Sequence, residues 1–165
     1  MIRTISLALL TLVVGFPVAA QDSPWTYRAP PEPVELRYTS SAGDGAALVL
    51  SCVKDSRQVI AQFPVSRRLA ATFVDGRWRD DVGRPAPWPV SVTIASADAQ
   101  TTIPGLADID PAGGGSIVTV EFADRAPVAE AFRMTGELRL SALGGGVAPV
   151  LAPRRSVQGF LRYCR

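Results

Sequence analysis

The chain contains no histidine and no asparagine, and Lys54 is its only lysine. Without histidine it lacks the commonest general base, the Ser/His/Asp and Cys/His nucleophile systems, and the usual zinc and copper ligands. Without asparagine it has no N-glycosylation acceptor. Asn and Lys are scarce where codons are GC-rich, which favours a bacterial source. Charge is nearly balanced, at 17 basic and 15 acidic residues, so the basic excess typical of nucleic-acid binders is missing. No apolar run is long enough to span a bilayer: the longest, Ile5 to Phe16, covers 12 residues where about 20 are needed.

What is present begins with that run. Met1 and Arg3 precede it, and Pro17 and the small residues Val18-Ala19-Ala20 follow it before Gln21. This order is that of a secretory signal peptide, residues 1–20, cleaved near Ala20. The expected product is periplasmic or secreted, with no transmembrane segment. In an oxidising compartment the two cysteines, Cys52 and Cys164, are expected to form a disulfide. The alternatives, two buried thiols or a metal held by two cysteines alone, suit the compartment less well.

The rest divides into an extended, proline-rich arm over residues 21–33 and one β-rich domain over 34–165. Val34, Leu36 and Tyr38 alternate with polar neighbours, the period-two mark of a strand. Ala46 to Lys54 is almost continuously apolar and reads as a central strand. Gln58 to Val65, Leu69 to Val74, Val90 to Ala95, Gln100 to Ile103 and Ile117 to Phe122 are further strands, separated by turn residues. Pro127 with Val128, Ala131 and Phe132 predicts a short helix stopped by Gly136. Leu138 and Leu140 lead through Gly144-Gly145-Gly146 into a hairpin with Val147 to Leu151. Val157, Phe160, Leu161 and Cys164 recur at helical spacing, so a C-terminal helix is expected, with Ser156 as its cap. The predicted class is mainly β or α+β: an antiparallel sandwich or barrel-like sheet with one or two short helices and one disulfide.

Candidate chemistry is sparse. Ser51-Cys-Val-Lys54 matches S-x-x-K, but on a strand Ser51 and Lys54 point to opposite faces. Asp108-Ile-Asp110-Pro-Ala-Gly113 begins like a calcium loop, yet Thr119 stands where the bidentate acid belongs. Asp80, Asp81, Asp108 and Asp110 supply carboxylates for a hydrolase only if two converge across a cleft. No catalytic residue, metal ligand or cofactor is assigned.

Two recognition surfaces stand out. From Gly76 to Pro89, Trp78 and Trp88 flank Arg77, Arg79 and Arg84, flat rings and planar cations suited to stacking on sugars or peptides. The plainer reading is that the tryptophans cap the core and the arginines pair with Asp80 and Asp81. Downstream of Glu137 there are five arginines, Arg139, Arg154, Arg155, Arg162 and Arg165, and no acid. That patch is expected to attract anionic surfaces weakly.

The expected role is a small exported, non-catalytic binding or accessory domain. Its partner would be a protein or an envelope polysaccharide, not nucleic acid. The alternatives are a carboxylate-dependent envelope hydrolase and a structural assembly subunit.

Overall fold

The structure, a computed structural model, describes residues 24–29, 33–40 and 46–165. The signal peptide expected over 1–20 lies outside the described residues. The elements, in chain order, are β1 (Trp25–Arg28), β2 (Val34–Thr39), β3 (Ala46–Cys52), β4 (Gln58–Val65), β5 (Thr72–Val74), β6 (Arg77–Arg79), β7 (Trp88–Ser96), β8 (Ala99–Ile109), β9 (Ser116–Ala123), α1 (Pro127–Thr135), β10 (Arg139–Ala142), β11 (Gly145–Val147) and α2 (Arg154–Cys164). Nine strands form one antiparallel sheet in the order β1-β2-β3-β4-β9-β8-β7-β10-β11, and β5 and β6 form a separate hairpin. The sheet curls into a half-barrel, as the predicted class required.

Alternation sets the inner wall. Val59, Ala61, Phe63 and Val65 of β4 are buried while Gln58, Gln62 and Pro64 face out, and Val118, Val120 and Phe122 of β9 continue the same wall. The two helices fill the curl. α1 buries Val128, Ala129 and Phe132 and packs on β7 and β8. α2 buries Val157, Phe160, Leu161 and Cys164 against β2 and β4. That set is the helical stripe read from the sequence, and each large member contributes about 1.5–3 kcal/mol of burial.

Cys52, at the end of β3, is bonded to Cys164, at the end of α2, with Cα atoms 5.7 Å apart. The bridge clamps the terminal helix onto the sheet, and the Arg57 amide reinforces it by donating to the Cys164 carbonyl at 2.7 Å. A disulfide fits an oxidising compartment. Among the described residues no helix is long and apolar enough to cross a membrane.

Several boundaries differ from the sequence reading. The proline-rich arm contributes an edge strand, since β1 pairs with β2 from Trp25↔Tyr38 to Arg28↔Glu35. Trp25 is buried between Tyr38 and Phe132, and its indole Nε1 donates to the Val150 carbonyl at 2.8 Å. That bond ties the segment before α2 across the mouth of the half-barrel. Only Thr72–Val74 of the Leu69–Val74 stretch is a strand, and β11 ends at Val147 rather than Leu151. α2 starts two residues before Ser156; Pro153 occupies the cap position and no side chain caps the helix. β8 does not stop at Ile103 but runs through Pro104-Gly105 to Ile109.

Candidate binding surface

The connection from β4 to β7 stands out from the sheet as a flap. Asp75 and Gly76 both adopt positive φ (51° and 75°), the two-residue turn that matches the twist of a hairpin and that an Asp-Gly pair favours. That turn fixes the register Val74↔Arg77, Phe73↔Trp78 and Thr72↔Arg79. Phe73 and Trp78 therefore sit directly opposite each other, with ring centroids 5.2 Å apart at 55°. The Arg68 guanidinium lies over the Trp78 ring at 4.9 Å. Trp78 is half-buried beneath this stack, whereas Phe73 is 59% exposed. Val74 and Val82, at 43% and 69%, add exposed apolar area to the same flap.

The base of the flap is held by Asp80. Its carboxylate accepts the Val82 and Arg84 amides at 3.2 and 2.7 Å and the Arg84 Nε at 2.7 Å. Burial pushes this carboxyl up, but the Arg84 amide, the Arg84 guanidinium and the Val82 amide together outweigh that effect and hold it below its ordinary value. The Arg84 carbonyl in turn accepts the Trp88 indole Nε1 at 2.9 Å. Trp88 is 2% exposed and roots the flap in the core. Arg79 donates from Nη1 to the Gly83 carbonyl at 3.0 Å, and its buried Nε has no partner.

The two tryptophans singled out from the sequence are thus separated by role. Trp78 belongs to an accessible ring stack and Trp88 to the core. Among the arginines, Arg84 is committed to Asp80, Arg79 to the Gly83 loop, and Arg77 is exposed. Sequence reasoning missed Phe73 and Arg68. Phe73 was legible in principle, because a two-residue Asp-Gly turn pairs the residues two before and two after it.

The C-terminal arginines form a different surface. Arg154, Arg155 and Arg162 are exposed on α2, while Arg165 bridges Asp124 at 2.9 Å and Glu130 at 2.6 Å. Arg133, with Arg165, holds Glu130 below its ordinary carboxylate range. Arg165 lies beside Asp124, at the Gln58 end of β4, whereas the flap leaves from Val65. Seven residues of strand, about 23 Å, separate these two ends.

The four candidate acids are occupied locally or solvated. Asp80 serves its turn, Asp108 accepts the Ile109 amide at 2.7 Å, Asp110 accepts the Ala112 amide at 2.9 Å, and Asp81 is exposed. Comparison with protein-family models, curated proteins and solved structures finds no match to this chain.

Proposed function

We propose that this chain is an exported, non-catalytic binding or accessory domain that meets an envelope protein or polysaccharide through the β5–β6 flap. One observation carries the reading: Phe73 stays exposed while stacked on Trp78, and Trp78 is covered by Arg68. Leaving a phenylalanine in water forgoes about 1.5–3 kcal/mol of burial. Aromatic and arginine side chains on a rigid platform are also the usual anchors of recognition sites. Asp80 and Trp88 supply that rigidity. The exposed arginines of α2 add a weaker attraction to anionic surfaces, screened by salt.

The test compares wild type with Phe73→Ala/Trp78→Ala in capture from a cell-envelope extract, with thermal unfolding as the folding control. Loss of the retained partner at unchanged folding is the expected result. Identical partner lists would overturn the assignment of the flap.

A further inference from the structure

β8 and β9 part company within the sheet. Their ladder runs from Ile109↔Ser116 to Gly105↔Val120 and stops, although both strands continue, β8 back to Ala99 and β9 on to Ala123. The hydrogen-bond phase says why. The Asp110 amide donates to the Gly115 carbonyl, so even-numbered residues of β8 and odd-numbered residues of β9 face each other with their main-chain groups. The Asp124 amide donates to the Arg57 carbonyl on the other side of β9, which is consistent with the same alternation. The next bonded pair would be Pro104 with Glu121, and proline has no N–H to donate. Just before the break, the strands are drawn together at Gly105. A Cβ there would come within 2.6 Å of Val92 Cγ2 and 2.8 Å of the Thr119 carbonyl.

Beyond this point the strands diverge into a wedge of about 410 Å³. Its rim carries Gln58, Gln100 and Glu121, and its floor is Ile103, Phe122 and Val128. The carbonyl of Glu121, the amide of Ala123, and both groups of Thr102 face the gap with no ladder partner in the β8–β9 register, whereas the Glu121 amide closes the last pair, Gly105↔Val120, on the Pro104 carbonyl. The Ala123 carbonyl accepts the Ala126 amide instead.

We propose that this wedge is a second binding site, separate from the flap, and that it takes an extended peptide segment. The segment pairs main chain to main chain with the Glu121 carbonyl and the Ala123 amide of β9 and inserts one apolar side chain onto Phe122, Val128 and Ile103. Strand addition of this kind draws its affinity from backbone hydrogen bonds and its selectivity from the pocket under alternate side chains. A pocket of this volume lies in the range of small-ligand sites. Unpaired donors and acceptors lining an apolar floor favour a peptide over an acyl chain, which would leave them unsatisfied.

The test titrates capped Thr-Val-Thr-Val-Thr into the ¹⁵N-labelled mature protein and follows the amides of Thr102 and Ala123. Saturable shifts at these amides are expected, with apparent Kd weakened about tenfold or more when every peptide amide is N-methylated. Pro104→Val restores the missing N–H, lets the ladder close and weakens the peptide to a similar degree. Three results would overturn the site: no shifts at millimolar peptide, equal binding of the N-methylated peptide, or saturable binding of decanoate in place of the peptide. The wild-type titration decides the matter even if the Pro104→Val protein does not fold.

Discussion

Replacing both cysteines by alanine removes the disulfide that cross-links the sheet to α2. The bridge joins positions 112 apart in sequence, and the chain-entropy account values such a loop at about 4.8 kcal/mol. Both side chains are buried, so each substitution also loses some packing. For a domain of this length, unfolding entropy of roughly 2.1 cal/mol/K per residue turns that loss into a melting-temperature drop of about 15 °C. The variant also loses what orients α2, because Phe160 and Leu161 share the helix with Cys164. The assay is calorimetry and urea unfolding of the oxidised wild type beside Cys52→Ala/Cys164→Ala. A loss near 4 kcal/mol supports the clamp. A loss below about 1 kcal/mol at unchanged m-value would show that packing alone seats α2, and the argument from loop closure would fail.

Gly136 closes α1 at φ +77° and donates to the Phe132 carbonyl, and a Cβ on it would collide with the Ala152 carbonyl; Gly136→Ala should cost about 1–3 kcal/mol in urea unfolding, and a neutral result would refute the cap. Arg154 and Arg155 lie at the uncapped, acid-free start of α2. Arg154→Glu/Arg155→Glu should therefore stabilise by about 1 kcal/mol at low salt and less at high salt; destabilisation at low salt would contradict this. The Asp80 carboxyl is held below its ordinary value of 3.8, so its contribution is full above that value and is lost as pH falls through the lower, folded-state value. The urea midpoint of wild type should fall more steeply below about pH 4 than that of Asp80→Asn; parallel curves would refute the role given to this carboxylate.

The fold was legible where one-residue patterns decide it. Val157, Phe160, Leu161 and Cys164 gave α2 its buried face, and the alternation in β2 and β4 gave two strands their inward sides. What was not legible depended on partners distant in sequence. Trp25 enters the core because Val150 offers its carbonyl and Phe132 its ring, and no local pattern encodes either. Pro104-Gly105 reads as a strand end, yet β8 continues through it because the proline nitrogen faces β9, so its missing N–H interrupts that ladder alone while pairing with β7 runs on through Ser91↔Pro104. Trp78 and Trp88 looked equivalent in a loop rich in arginine and proline. Register separates them: one pairs across a hairpin with Phe73, and the other starts a central strand opposite Ala107. The acids near them gave no sign that Asp80 would be spent on its own turn.

The flap is the centre of the functional account, and site-specific photocrosslinking tests it most directly. A benzoylphenylalanine at position 73 preserves the ring, and the same group at Ser91, exposed on β7, serves as the control. In the native envelope the account predicts a discrete crosslinked species from position 73 that is absent from position 91 and disappears with Trp78→Ala. No crosslink at 73, or the same species from both positions, would contradict it.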